Sequence, residues 1–294
     1  MAAVLEMSGA VWRDVRFRSP DGLELYARDY GPDRGPTPVL CLSGLSRNSK
    51  DAHPVAARIA PGRRVIAPDF RGRGRSAHAP DWSSYRVEVE MADAVALLDS
   101  LGIAKVVVIG TSRGGLIAML MSSLHRDRLA GVLLNDIGPV LEPAGLLRIR
   151  RYLGRPLRFT TWRGAVAALK RTNPGFETLS EAEWLAFAHR VYRDGNGRPM
   201  LDYDPKLRRT FPGPARIVAG AVPPMWEALA ALEGLAVTTL RGEHSDLLGP
   251  ATHVRMAESV SGLDAVTVKN RGHAPFLDEP ESVAAIDRLL ARCP

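Results

Sequence analysis

The chain is poor in cysteine, poor in lysine and without a long apolar run, and each scarcity removes a class of protein. Its two cysteines are Cys41, inside an apolar stretch, and Cys293, the penultimate residue. They form no evident pair and no zinc-ligand spacing, which excludes a disulfide-stapled scaffold and a zinc module and suits a reducing cytoplasm. No apolar stretch approaches the roughly 18 residues that a membrane-crossing helix requires. The first residues, MAAVLEMSGAVWRD, hold neither a basic start nor an apolar core and do not read as a signal peptide. Only five of the 39 basic residues are lysines, and the arginines that make up the rest are scattered instead of forming a block. The formal charge of +7 and the pI near 9.8 therefore give no reason to expect a nucleic-acid partner. What they support is a mild steering of anionic ligands.

What is present is ordinary globular composition, 46% hydrophobic and 24% charged over 294 residues, enough for one large core. The most informative stretch is 105–121, KVVVIGTSRGGLIAMLM. It opens with a β-branched apolar run of the kind buried on both faces of a sheet and closes with uninterrupted helix formers. Between them, Gly110-Thr111-Ser112-Arg113-Gly114 is a G-x-S-x-G sequence in strand-to-helix context, the context a nucleophile elbow requires. Such a turn lifts the Ser112 hydroxyl above the sheet edge in a strained backbone conformation. Side chains two residues before and after would collide across it, hence Gly110 and Gly114.

Along the chain, 12–18 and 23–30 alternate polar and apolar around Ser-Pro-Asp-Gly and predict a β-hairpin. Buried strands are expected at 38–42, 64–68, 106–109, 130–134, 236–240 and 265–268, with helices near 50–60, 84–101, 113–124, 224–233, 250–260 and 280–292. Strands separated by helices imply crossover units and a parallel sheet. The rhythm stops at Gly138-Pro139. Between 140 and 215 no strand pattern is evident, and short helices are expected near 144–153, 161–172 and 180–193, the last with a capping box at Ser180 and Glu183. Residues 1–139 and 216–294 are thus expected to form the core, and 140–215 an all-helical cap inserted after the sixth strand and packed on the core as a lid.

A serine nucleophile needs a base, and the base needs an orienting carboxylate. His273 follows the last expected strand, and Asp246 follows the strand at 236–240; both lie in loops at carboxyl ends of strands, where open α/β sheets place their sites. His273 is therefore the expected base and Asp246 the expected acid. Glu243 in the same loop and Asp136, which closes the strand after the elbow, are its rivals. The oxyanion site is expected from two backbone amides, Arg113 after the nucleophile and Leu45 in the loop after the first buried strand.

The G-x-S-x-G elbow, the D-x-R-G-x-G-x-S stretch at 69–76, the R-G-E-x-S-D loop at 241–246 and the G-H-A-P-x-L-D-E-P run from Gly272 together resemble the α/β-hydrolase superfamily. The likeness is greatest to its helical-capped branch of esterases, enol-lactonases and carbon–carbon hydrolases, and it extends over about residues 20–292. It implies an eight-stranded, mostly parallel sheet, a triad of Ser112, Asp246 and His273, and a structural loop at Arg71 to Ser76; the expected protein is a cytoplasmic serine hydrolase without metal or cofactor. Ser43 where many relatives carry His, and Arg113 where carbon–carbon hydrolases carry Met, weaken an assignment to those hydrolases, and the expected activity is that of a carboxylesterase acting on a small-molecule ester of small or medium acyl groups. A nucleophilic serine also argues against the haloalkane dehalogenases and epoxide hydrolases. The alternatives are a lactonase or carbon–carbon hydrolase acting on an anionic substrate, and a non-catalytic ligand-binding scaffold. Within the cap, Trp162 and Trp184, with Leu146, Leu147, Leu153, Leu185 and Phe187, are candidates to line an apolar pocket. Arg148, Arg150, Arg151, Arg155, Arg158 and Arg163 are candidates to turn inward toward a substrate carboxylate.

Overall fold

The computed structural model describes residues 10–220 and 222–294. Residues 1–9, on which most of the signal-peptide reading falls, lie outside the described residues.

The alternating segments at the start fold as the expected hairpin, β1 (Trp12–Arg18) against β2 (Glu24–Tyr30). The apolar runs follow as β3 (Val39–Leu42), β4 (Val65–Asp69), β5 (Val106–Thr111) and β6 (Leu129–Asn135). After a long intervening segment come β9 (Ala236–Gly242) and β10 (Asp264–Val268). These eight strands form one sheet in the order β1-β2-β4-β3-β5-β6-β9-β10. It is antiparallel only where β2 meets β1 and β4, and parallel elsewhere.

Parallel neighbours require crossovers, and helices supply them. The helices α1 (His53–Ile59), α2 (Val87–Ser100) and α3 (Arg113–Leu124) join β3 through β6, and α9 (Pro250–Ser259) joins β9 to β10. The chain closes with α10 (Pro280–Ala291). Strand periodicity divides the core into two layers. Val106 and Val108 of β5 face one layer with Leu97, Ile117 and Met121, while Val107 and Ile109 face the other with Val55, Ile286 and Leu289. Each such fully buried side chain contributes roughly 1.5–3 kcal/mol relative to exposure. Burial on both faces is why β3 to β6 read as continuous apolar runs.

Between β6 and β9 lie α4 (Pro143–Tyr152), α5 (Trp162–Thr172), α6 (Glu181–Val191), α7 (Pro214–Val218) and α8 (Trp226–Ala230). The capping box at the start of α6 is formed, with Ser180 and Glu183 serving each other's amides. The segment is not all-helical, however. A hairpin of β7 (Tyr192–Gly195) and β8 (Arg198–Leu201) follows α6. Its turn is Asn196-Gly197, both at positive φ (56° and 81°), the sequence signature of a two-residue hairpin loop. This hairpin overturns the expectation of an all-helical cap.

This segment has a small apolar cluster of its own, with Leu169, Phe176, Trp184 and Phe187 at its centre, while Leu146, Ile149 and Leu153 pack into the main core. Its later part is pinned to the 69–76 loop: the Asp204 amide donates to the Gly72 carbonyl at 2.7 Å and the Gly74 amide to the Asp202 carbonyl at 2.9 Å. Within that loop Arg71 and Arg73 point inward with no exposed surface. Arg71 grips Asp93 through two hydrogen bonds of 2.7 Å.

Candidate active site

The elbow stands where β5 gives way to α3. Ser112 has φ 50° and ψ −113°, a strained conformation for a non-glycine residue that costs about 1–3 kcal/mol. Its amide donates to the Asn135 carbonyl at 3.0 Å, tying the turn to the end of β6. A Cβ on Gly110 would lie 2.6 Å from the Gly114 carbonyl oxygen, and one on Gly114 would lie 2.1 Å from that of Leu42. The two glycines are steric requirements of the turn.

The Ser112 hydroxyl lies 2.9 Å from Nε2 of His273. On the other side of the ring, Nδ1 lies 2.7 Å from Oδ2 of Asp136. The carboxylate that meets the histidine is thus Asp136, and the expectation that Asp246 would do so is corrected. Asp136 is fully buried at the end of β6 and has φ 52°. Its Oδ1 accepts from the Gly242 amide at 2.7 Å, and its Oδ2 also accepts from the Ser245 hydroxyl at 2.6 Å. The loop after β9 therefore takes part, but through Gly242 and Ser245.

Asp246 turns the other way. Its two oxygens accept from Nε and a terminal nitrogen of Arg148 at 2.5 and 2.7 Å. Despite the cost of burial, that guanidinium holds the Asp246 carboxyl below its ordinary value. Asp246 fastens α4 to the sheet, aided by its carbonyl, which accepts from the Gly145 amide at 2.9 Å. Glu243 accepts from the Asn270 amide at 2.9 Å. His244 is half-exposed beside Glu243 at 3.7 Å.

Among the described residues, the amides of Leu45 and Arg113 have no hydrogen-bond acceptor. Their loops are braced by one carboxylate. Glu90, fully buried on α2, accepts from Arg73 at 2.6 Å and from Nε of Arg113. Nε of Arg73 in turn donates to the Leu45 carbonyl at 2.8 Å. This Arg73–Glu90–Arg113 triad, which sequence reasoning missed, connects the two loops from behind. Its trace in the sequence is an acidic residue on the apolar face of α2, one position before Met91.

Ser112 and His273 open into a cavity of about 500 Å³ whose wall also includes Leu45, Tyr152, Phe187 and Phe276. Cys41 lies in the wall as well, but burial pushes its thiol up to about 12, so it carries no thiolate. Trp162 and Trp184 do not line the cavity, which corrects the pocket expectation. Trp162 stacks on His189 with ring centroids 3.8 Å apart, and Trp184 packs edge-on against Phe176. The apolar faces of α5 and α6 meet in the segment's own cluster, from which Leu169, Phe176 and Phe187 also reach the cavity wall while the two tryptophans do not. Of the arginines singled out there, Arg151, Arg155 and Arg158 line the cavity. Arg148 is held by Asp246, and Arg150 donates to the Phe211 and Pro212 carbonyls at 3.2 and 3.0 Å. Among the described residues no cluster of His, Cys, Asp and Glu is arranged to hold a metal ion, and no helix is long and apolar enough to cross a membrane.

A sequence model of the alpha/beta hydrolase family matches residues 39–286. The chain is 34% identical over 277 residues to the 3-hydroxybutyrate-oligomer hydrolase of Cupriavidus necator, covering 92% of this chain and 94% of that one. Among solved structures it resembles an alpha/beta hydrolase from Novosphingobium aromaticivorans, with a TM-score of 0.89, 42% identity and coverage of 96% and 98%. A thermophilic esterase from Thermogutta terrifontis shares the fold at a TM-score of 0.68 and 23% identity, over 96% of this chain and all (100%) of that one.

Proposed function

We propose that this chain, which belongs to the alpha/beta hydrolase family, is a serine ester hydrolase that uses Ser112, His273 and Asp136 to cut short oligoesters of a hydroxy acid. The observation that carries this reading is the unbroken hydrogen-bonded line from Ser112 Oγ through both ring nitrogens of His273 to Asp136, at 2.9 and 2.7 Å, opening into the cavity.

Ser112 Oγ attacks the ester carbonyl carbon as its proton passes to Nε2 of His273. Asp136 keeps the proton on Nδ1 and stabilises the imidazolium; the Gly242 amide and Ser245 hydroxyl fix its carboxylate for that task. The carbonyl oxygen, now an anion, is received by the Leu45 and Arg113 amides, which have no other acceptor. Collapse of the tetrahedral intermediate breaks the ester bond. The leaving alkoxide takes the proton from Nε2, and the acyl group stays on Ser112. Water then gives a proton to Nε2 and attacks the acyl carbon, releasing the acid and restoring the serine hydroxyl. Residues 140–215 act as a roof over this chemistry. The hydroxy-acid substrate class draws support from the Cupriavidus necator relative, which aligns with nearly the whole chain.

Ser112→Ala is expected to lower kcat by on the order of 10⁶ while leaving the fold intact, measured as 3-hydroxybutyrate released from its dimer and trimer. Wild-type protein is expected to take up one fluorophosphonate at Ser112. A variant retaining a tenth of the activity, or folded wild-type protein that takes no label, would overturn the reading, the latter in favour of a ligand-binding scaffold.

A further inference from the structure

Among the described residues, the cavity wall holds six arginines, Arg47, Arg151, Arg155, Arg158, Arg171 and Arg190, against a single carboxylate, Asp51. That carboxylate is already engaged: its Oδ2 accepts from Nε of Arg47 at 2.6 Å, and its Oδ1 accepts from the same guanidinium. Arg190 is left over. Its Nε stands 4.0 Å from Asp51 Oδ1, beyond hydrogen-bond reach, and among the described residues no side chain or carbonyl accepts a hydrogen bond from it. Only 19% of its side chain is exposed.

The guanidinium is nonetheless held in place. It lies over the Phe276 ring at 4.8 Å and the Phe187 ring at 5.8 Å, while Arg47 lies over Phe187 at 4.8 Å. Phe276 follows His273 in the same loop, so the stack stands beside the reacting groups. Burial holds Arg190 below its ordinary pKa, with Asp51 and, more weakly, Asp278 and Glu279 compensating only in part. The contrast with its neighbours is sharp. Arg148 and Arg150 have their donors engaged by Asp246 and by carbonyls, and Arg151, Arg155, Arg158 and Arg171 are exposed at the rim. A planar, stacked, partly desolvated guanidinium with free donors is a fork for a carboxylate.

Resting on the oligoester reading above, we propose that Arg190 binds the free carboxylate at the end of the substrate, so that the enzyme selects oligomers with an open acid terminus. The rim arginines draw the anion in, and Arg190 holds it.

The test compares a 3-hydroxybutyrate trimer with its C-terminal amide, which has the same internal ester bonds and no charge. Binding is measured by calorimetry on Ser112→Ala protein, which separates recognition from turnover. The acid is expected to bind roughly ten- to a hundredfold more tightly than the amide, the range for a hydrogen-bonded charged group. Adding Arg190→Gln is expected to bring the ratio close to one, and Arg190→Lys to restore part of it. Equal affinity for the two ligands before any change at Arg190, or no detectable binding of the acid, overturns the proposal without use of the second variant. A ratio that survives Arg190→Gln overturns it too. Fluorophosphonate labelling and turnover of neutral p-nitrophenyl acetate by wild-type protein test the serine-hydrolase reading separately, so the failure of one is distinguishable from the failure of the other.

Discussion

At the carboxyl edge of the sheet, Glu90, Asp93 and Asp136 are buried and both oxygens of each are engaged, by Arg73 and Arg113, by Arg71, and by Gly242, Ser245 and His273 respectively. In the segment between β6 and β9, Arg151, Arg155, Arg158, Arg163 and Arg171 are exposed, and among the described residues no carboxylate meets them. The first region has its charges closed off from water, where removing one partner strands the other. The second leaves them in solvent, where they cost little and can receive a ligand. The former suits groups that must not move during a reaction, the latter a surface that selects what enters.

Two carboxylates sharpen the comparison. Asp136 belongs to the closed region and Asp246 to the junction with the segment above it. Asp136→Asn is expected to lower kcat about 10⁴-fold, because an asparagine favours the wrong tautomer of His273. Asp246→Asn should change kcat by less than about tenfold. Both are read from 3-hydroxybutyrate release from the dimer. A large loss at Asp246 with a small one at Asp136 would break the distinction.

The closed region is also expected to be the fragile one. Glu90→Gln leaves the buried guanidinium of Arg73 and the partly buried one of Arg113 facing a neutral amide, and the loss of one partner from a buried ion group costs about 3–5 kcal/mol. Urea unfolding measures it. A loss below about 1 kcal/mol would show that the triad does not brace the loops.

A smaller effect is expected at the junction. Breaking the Arg148–Asp246 pair with Asp246→Asn should cost about 1–3 kcal/mol at neutral pH. Arg148 holds the Asp246 carboxyl below its ordinary value against the cost of burial. Its contribution is therefore complete above the unfolded pKa of about 3.9 and is lost as pH falls through the lower folded value. Urea midpoints of wild type and variant should differ at pH 7 and converge in acid. A gap that persists unchanged well below pH 3 would assign the effect to packing instead.

Much of the fold was legible because its causes are local or periodic. Strands buried on both faces demand unbroken apolar runs, as at 106–109 and 130–134. The hairpin of β7 and β8 is marked in the sequence by Asn196-Gly197, but strands of four residues each leave little length for an alternating pattern to show. The place of Trp184 is hidden for a different reason. Periodicity says that α6 has an apolar face, not that Phe187 on it reaches the cavity while Trp184 stays inside the cluster.

By itself, the sequence determined the alternation of strands and helices, the turn that only Gly110 and Gly114 allow, and the placing of Ser112 and His273 at strand ends. Each follows from backbone geometry or from a period of two or 3.6 residues, and these act over a few positions. Tertiary structure alone decided which carboxylate faces His273. Asp136 and Asp246 both follow strands that end at the same edge, and the strands β6 and β9 are neighbours. The choice rests on Gly242 and Ser245 closing around Asp136 while Arg148, 98 positions away in sequence, draws Asp246 aside. The same holds for Arg190, one arginine among many in the sequence, which is distinguished by the two aromatic rings beneath it and by the absence, among the described residues, of an acceptor in reach. Side-chain direction is set by what packs against it, and those neighbours come from distant parts of the chain.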